Sequence, residues 1–149
     1  MRRLLLTLTA ATTLAVPAAV LVSTSAASAA STVTCKKLTG TISSSFTVTS
    51  CSPKVKKGAD KSASGASSAL ASGSGTLTWK KSGQTTVVSL SVTSAGQGGC
   101  RSGSSEYDVS GSVTGGTSTY THSGDTVSAR ACVSASGSLS LVKKTTMNL

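Results

Sequence analysis

The sequence is poor in the side chains that usually build catalytic sites. Its 149 residues include four carboxylates and one histidine. Glu106 and Asp108 alternate along one predicted strand, as the paired acids of a glycosidase could. The stretch "THSGD", 121–125, places His122 beside a serine and an aspartate, but three neighbours on one turn rarely converge into a catalytic triad. We therefore predict a protein that is not an enzyme, with no catalytic, metal-binding or cofactor-binding residues and no cofactor.

Aromatic residues and prolines are also scarce. One Phe, one Trp and two Tyr provide little surface for stacking on bases, so we expect no specific nucleic-acid partner. Strong helix formers such as Glu and Leu are few beyond the first thirty residues, which argues against a helical protein.

Long apolar runs are confined to the N-terminus. Arg2 and Arg3 precede an uncharged, mostly apolar stretch, 4–22, and small residues fill 23–30. This order is typical of a secretory signal peptide. We expect residues 1–29 to be cleaved after Ala29, with Ala30 as the near alternative. The product would be secreted, extracellular or cell-wall associated, with no membrane span after cleavage.

The expected mature chain is basic. Two of the fourteen basic residues leave with the signal peptide, so twelve remain against four acidic ones, a charge of about +8. Such a charge attracts anionic polymers, although it also serves solubility. The candidate contacts are Lys36, Lys37, Lys54, Lys56, Lys57, Lys61, Lys80, Lys81, Lys143 and Lys144.

Apolar residues recur at every second position in several short runs. Leu77 and Trp79 share one parity, and the same alternation recurs in Phe46 and Val48, in Val88, Leu90 and Val92, in Tyr107, Val109 and Val113, and in Val127, Ala129, Ala131 and Val133. Glycine-containing turn signals separate these runs. Alternation of this kind indicates half-buried strands. Residues 30–149 are therefore predicted to form one all-β domain, a small β-sandwich, Ig-like or barrel-like, of about 7–9 short strands.

Two hairpins have predictable registers. A loop centred on Ser44 sets Leu38 opposite Val48, and the same register sets Cys35 opposite Cys51. The cysteines have the opposite parity to Leu38 and Val48, so they lie on the other face or beyond a bulge. A two-residue turn at Ser82-Gly83 would set Leu77 opposite Val88.

Residues 52–75, "SPKVKKGADKSASGASSALASGSG", show no usable period. They contain four lysines and many small residues. We predict a basic, low-complexity loop, either a tolerated insertion or a contact segment.

The chain has four cysteines. An even set in an exported protein indicates two disulfides, for which three connectivities exist. The hairpin register favours Cys35–Cys51, which leaves Cys100–Cys132. Neither the spacing of a zinc site nor a C-x-x-C motif is present.

The motifs resemble a group of small secreted actinobacterial proteins. The stretches that carry this resemblance are "CKKLTGTI…FTVTSC", "GSGTLTWKKSGQTT", "YDVSGSVTGG" and "SGDTVSARACVSASGSLSL". The resemblance covers most of the chain after the signal peptide. The group has no assigned activity, so the resemblance implies export and a four-cysteine β-rich fold.

We expect a monomeric, secreted, non-catalytic binding protein of the cell envelope, with anionic cell-wall polymers as the favoured partner and an extracellular protein as another. The alternative is a protease inhibitor. In "GGCRSG", 98–103, Arg101 follows a disulfide cysteine, as at the reactive site of an inhibitor of trypsin-like enzymes.

Overall fold

The computed structural model describes residues 33–53 and 60–149. The predicted signal peptide and Lys54, Lys56 and Lys57 lie outside these residues. The secondary structure consists of β1 (Val33–Thr41), β2 (Ser45–Pro53), β3 (Ser62–Ala66), α1 (Ser68–Ser72), β4 (Ser74–Trp79), β5 (Thr85–Gly96), β6 (Ser104–Gly116), β7 (Thr126–Ser134), β8 (Ser138–Leu141) and β9 (Met147–Asn148). The all-β prediction is confirmed.

The strands close into an antiparallel barrel. Each strand from β1 to β7 pairs with the next one along the chain, and β8 pairs back onto β1. The chain thus adopts the barrel-like form of the predicted architectures, with eight strands and one extra strand, β9. Closure pairs the strand edges that an open sheet of these Ser- and Thr-rich strands would expose.

The two ends of the barrel differ. We call the "mouth" the end that carries the β1–β2 turn, α1, the β5–β6 loop and the β7–β8 turn; the opposite end is the "base". Strands β8 and β9 share one position in the wall, between β7 and β1. Near the mouth Leu139 of β8 pairs with Gly40, and near the base Asn148 of β9 pairs with Thr34.

The alternating residues point inward as predicted. On β7, Val127, Ala129 and Ala131 are buried, whereas Ser128 and Arg130 are exposed. The pairs Leu77/Trp79, Val88/Leu90 and Val109/Val113 follow the same rule. This period of two places apolar side chains inside the barrel and hydroxyls outside.

The base half of the interior is filled. The Trp79 side chain is fully buried there, and its Nε1–H donates to Thr86 Oγ1 at 2.9 Å. The hydroxyls of Thr86 and Thr121 lie 2.8 Å apart, and the Tyr120 ring packs edge-on against Trp79 with centroids 5.2 Å apart. A large ring with a satisfied N–H therefore closes this end.

Both predicted disulfides are present, Cys35–Cys51 and Cys100–Cys132. The β1–β2 register is also confirmed, with Leu38 opposite Val48 and Cys35 opposite Cys51. The cysteines have the opposite parity to Leu38 and Val48 in the sequence. The hairpin accommodates this by an irregularity between the two pairs, where Ser50 has a φ of 55°. This irregularity turns both cysteines inward, and Cys35 is completely buried.

The predicted β4–β5 register is wrong by two residues. Gly75, and not Leu77, lies opposite Val88. The strands are joined by a longer loop, closed by bonds from Trp79 N–H to Gln84 O and from Gly83 N–H to Trp79 O, each 2.8 Å long. The Asp60 carboxylate shapes this loop by accepting the N–H groups of Lys81, at 2.6 Å, and Ser82, at 2.7 Å.

The prediction of a loop over 52–75 is wrong for its C-terminal part. Residues 62–66 form β3, which pairs with β2 and β4, and residues 68–72 form α1. The sequence "SASGA" of β3 contains no large apolar side chain, so its alternation leaves no visible pattern. Its inward position Ala63 lies opposite Trp79 and leaves room for the indole.

Candidate functional site

The mouth half of the barrel contains a cavity of about 300 Å³. Its walls come from most strands of the barrel and from α1. All lining side chains except those of Ser67 and Tyr107 are built of carbon and sulfur atoms alone. The cavity is therefore an apolar pocket with few hydrogen-bonding groups.

Small inward residues on β7 leave this space. Ala129 and Ala131 line the pocket where Val127, one position nearer the base, helps to fill the interior. The interior of an eight-stranded barrel is just wide enough for side chains to fill it, or for one small ligand. Two successive methyl groups on one wall therefore produce a pocket instead of a packed core.

The floor of the pocket is formed by large, inaccessible side chains. Phe46, Leu77 and Met147 are 4%, 1% and 5% exposed, respectively. Gly65 lacks a side chain beside the Phe46 ring; a Cβ there would lie 3.3 Å from Phe46 Cζ. Glycine at position 65 therefore leaves room for the Phe46 ring beside β3.

The rim is apolar and largely exposed. Ile42 and Val92, both lining the pocket, are 51% and 37% exposed, and they are the large hydrophobic residues that stand out on the described surface. The connections around the mouth, 42–44, 67–73, 97–103 and 135–137, contain a single charged residue, Arg101. Arg101 does not line the pocket.

Helix α1 covers part of the mouth. Leu70 and Ala71 line the pocket, and Ser67, just before the helix, is fastened to the β1–β2 turn. Ser67 N–H donates to Ser44 O at 3.0 Å, and Ser67 Oγ donates to Thr41 O at 2.5 Å. The helix ends at Gly73, whose φ of 74° is the left-handed conformation that glycine favours.

The two polar lining groups differ in their use. The Ser67 hydroxyl is engaged with Thr41 O, as described. The Tyr107 hydroxyl forms no hydrogen bond to any described residue, and its half-buried ring lines the pocket on β6, next to Ala131 of β7. Tyr107 is therefore the lining residue whose hydroxyl has no hydrogen-bond partner among the described residues.

Known proteins give no direct guide to this pocket. Models of protein families, curated protein sequences and solved structures were compared with the chain, and none matches it. Over residues 33–53 and 60–149, no helix is long and apolar enough to cross a membrane. The same residues contain no group of three or more His, Cys, Asp or Glu side chains that could hold a metal ion.

Glu106 and Asp108 share the outer face of β6 but differ in environment. The Glu106 side chain is completely buried, and Oε1 accepts from Arg130 Nε at 2.7 Å while Oε2 accepts from Gly99 N–H at 2.5 Å. Asp108 is 57% exposed, with Oδ1 3.6 Å from the same Arg130 Nε. The arrangement anchors the 97–103 loop to the wall and leaves no carboxyl pair facing a cleft.

His122 and Asp125 form a turn. Asp125 Oδ2 accepts from His122 N–H at 2.8 Å, and Asp125 N–H donates to His122 O at 3.0 Å. Gly124, between them, has a φ of 94°. The imidazole itself is exposed, with Nδ1 3.8 Å from Asp125 Oδ2. This is the turn geometry that the sequence predicts for Gly124-Asp125.

The described lysines avoid the mouth. Lys36 and Lys37 lie on β1, Lys61 precedes β3, and Lys80 and Lys81 lie in the β4–β5 loop; Lys143 and Lys144 occupy the segment between β8 and β9, and all seven are exposed. Lys61 and Lys80 are adjacent across the base, since Lys80 N–H donates to Ser62 O at 3.0 Å. We call Lys36, Lys37, Lys61, Lys80 and Lys81 the basic side.

Arg101 is exposed in a tight turn. Arg101 directly follows the disulfide-bonded Cys100, and its carbonyl oxygen accepts a hydrogen bond from Ser104 N–H at 3.1 Å. Main-chain recognition by strand pairing requires an extended segment, which a turn does not present. The geometry therefore does not favour the inhibitor alternative, which stays a prediction from the sequence.

The alternating pattern of the sequence does not reveal the pocket. Ala129 and Ala131 appear in the pattern as inward positions, but an alanine in a strand gives no sign of what it faces. The sequence signal for the pocket is the number of inward residues that are too small to fill an eight-stranded barrel.

Proposed function

We propose that this protein is an exported, non-catalytic carrier that binds one small apolar molecule in the pocket at its mouth. The observation that supports this is the cavity of about 300 Å³ whose lining is apolar at all but two positions. Ligand sites are typically concave, largely apolar and preformed, with volumes from about 300 Å³ upward. The mouths of barrels are among their usual locations.

Export and a monomeric state belong to the same proposal. Two disulfides are typical of proteins in an oxidising environment outside the cytoplasm. The N-terminal pattern of charge, apolar run and small residues supplies the route out of the cell. Closure of the barrel leaves no long strand edge to recruit a second copy.

The test is to fill the pocket. In Ala131→Phe the new ring would occupy the cavity and abolish the fluorescence enhancement of an apolar probe such as phenylnaphthylamine. The affinity for the probe should fall at least about tenfold, because the probe would lose contacts equivalent to a few methylene groups. The free energy of unfolding of the variant should lie within about 1.5 kcal/mol of that of the native protein, because the ring fills existing space. Urea denaturation provides that second measurement.

Ser110→Phe is the matched control. Ser110 is exposed on the outer face of β6, opposite Ser128 of β7. The same ring added there should leave probe binding unchanged. Failure of the native protein to bind any apolar probe, or equal binding by Ala131→Phe, would reject the proposal.

A second function, attachment to anionic polymers, is favoured by the grouping of the basic side. Five exposed lysines lie on adjoining strands and turns of the barrel wall and base, away from the mouth. A polyanion bound there would leave the pocket open. Carrier and attachment functions are therefore compatible.

The attachment proposal predicts salt-dependent retention on purified cell wall. Lys61→Gln with Lys80→Gln should weaken retention at low salt by about fivefold per lysine, the effect of a lysine at an anionic surface. The double variant Arg101→Gln with Lys143→Gln removes the same amount of charge outside the basic side, and it should weaken retention less. Retention that does not fall as salt is raised would contradict an electrostatic attachment.

A further inference from the structure

The polar groups of the pocket restrict what the ligand can be. Ser67 Oγ donates its hydrogen to Thr41 O, so Tyr107 is the one described lining side chain whose hydroxyl hydrogen is not already donated to a described residue. We propose that the ligand is a single aliphatic chain with an uncharged hydrogen-bonding end, a neutral amphiphile whose polar end contacts the Tyr107 hydroxyl. This inference rests on the proposed carrier function and names the class of molecule carried.

The position of Tyr107 sets the orientation of such a ligand. Tyr107 lies near the start of β6, opposite Ser94 of β5 and Ala131 of β7, on the mouth side of Val109. The floor residues Leu77 and Met147 are purely apolar and buried. A chain would thus enter with its hydrocarbon end first, and its polar end would remain at the mouth.

An ionised end group finds no counter-charge in this site. The one charged residue in the mouth connections, Arg101, does not line the pocket, and Glu106 and Arg130 bond each other on the outer face of the wall. Moving an ionised group out of water without a partner is costly, whereas a hydroxyl bonded to the phenol loses little. A carboxylate or ammonium of equal chain length should therefore bind more weakly.

The volume sets the chain length. A cavity of 300 Å³ corresponds to about ten water volumes of ~30 Å³ each, and hence to a chain of about ten carbons. Each methylene removed from water should raise affinity about fourfold until the pocket is full. Longer chains should gain little, because their additional carbons remain at the exposed rim.

The experiment compares three ligands of equal length on the native protein and on Tyr107→Phe, by displacement of phenylnaphthylamine. Decanol carries a hydroxyl, decyl chloride a poor hydrogen-bond acceptor, and decanoate a charge. In the native protein decanol should bind at least about tenfold more tightly than decanoate, the cost of an unpaired charge at the mouth. Tyr107→Phe should weaken decanol about fivefold, the net value of one hydrogen bond, and leave decyl chloride unchanged.

The outcomes separate this inference from the carrier function. Equal weakening of decanol and decyl chloride would mean that Tyr107 acts by packing alone, and it would overturn the inference. Decanoate binding as tightly as decanol would overturn it as well. In either case displacement of the probe leaves the carrier function standing, whereas a native protein that binds no probe and no ligand overturns both.

Discussion

Asp60 is a buried carboxylate that joins three segments at the base of the barrel. Its oxygens accept the N–H groups of Lys81 and Ser82, and its own N–H lies 3.4 Å from the Tyr120 hydroxyl. The residue is 3% exposed. Through its carboxylate and its backbone N–H, Asp60 thus connects the approach to β3, the β4–β5 loop and the β6–β7 loop.

The protonation state of Asp60 follows from these contacts. Burial alone would raise the pKa of Asp60, but hydrogen bonds from the Ser82 side chain and from the Ser82 and Lys81 backbone, together with the Lys81 charge, outweigh it. The pKa of Asp60 therefore lies below its ordinary value. A carboxyl with a lowered folded-state pKa stabilises the fold above the unfolded-state pKa of about 3.9 and loses this contribution as pH falls through the folded-state pKa.

We expect Asp60→Asn to lower the free energy of unfolding by about 1–3 kcal/mol at pH 7, because an amide can accept both backbone N–H groups only through one oxygen. Below about pH 4 the difference from the native protein should shrink, since the Asp60 carboxyl is protonated first in the unfolded chain and, at lower pH, in the folded protein too. Urea unfolding at pH 7 and at pH 3 measures both effects.

Asp108→Asn is the control for Asp60, because Asp108 is 57% exposed and should change stability by no more than about 0.5 kcal/mol. A cost for Asp60→Asn that stays the same, or grows, toward low pH would contradict a lowered pKa in the folded state.

At the scale of elements, α1 is held against the barrel by a glycine. A Cβ built on Gly75 of β4 would lie 2.2 Å from the Cβ of Ala69 in α1. Gly75 points inward, so α1 occupies the volume that its side chain would have taken. The close approach places Leu70 and Ala71 at the rim of the pocket.

Gly75→Ala should therefore push α1 outward and cost about 1–3 kcal/mol in the free energy of unfolding, the usual range for overpacking. Probe binding should also change, because α1 forms part of the pocket wall. Gly115→Ala provides the comparison: a Cβ there meets no atom within 4 Å, so stability should hold or rise slightly. Equal free energies of unfolding for Gly75→Ala and Gly115→Ala would show that α1 does not need its close approach to Gly75.

The hairpins show how far local sequence reasoning extends. The β1–β2 register could be predicted because a short loop centred on Ser44 fixes it from within the hairpin, and the pairing of Cys35 with Cys51 followed from it. The β4–β5 register could not, since Asp60, about twenty residues upstream, shapes the turn. Strand β3 was missed because "SASGA" has no large side chain, and its pairing comes from β2 and β4.

At the scale of the whole molecule, the pocket arises only when the barrel closes. Periodicity identified Ala129 and Ala131 as inward residues, and it identified Leu77 and Phe46 on other strands. What these residues face depends on the number of strands and on closure between β1 and β8, neither of which is encoded in any local stretch. The all-β class and the disulfides could be predicted, whereas the candidate site could not.

Charge is also distributed over the whole molecule. The described lysines lie on the wall and base, whereas the mouth presents Ile42 and Val92 among serines, with Arg101 as the one charged residue of its connections. The described surface is therefore asymmetric, with most of its basic residues away from the mouth.

The wall position shared by β8 and β9 has a consequence for how the protein is made. Residues 33–35 and 147–149 bond directly, with Val33 N–H to Leu149 O at 3.0 Å and Leu149 N–H to Val33 O at 2.9 Å. Synthesis proceeds from the N-terminus, so β1 waits for more than a hundred residues before its second neighbour exists. Strand β1 is therefore synthesised early and completed late, and the barrel cannot close before residues 138–149 have been made.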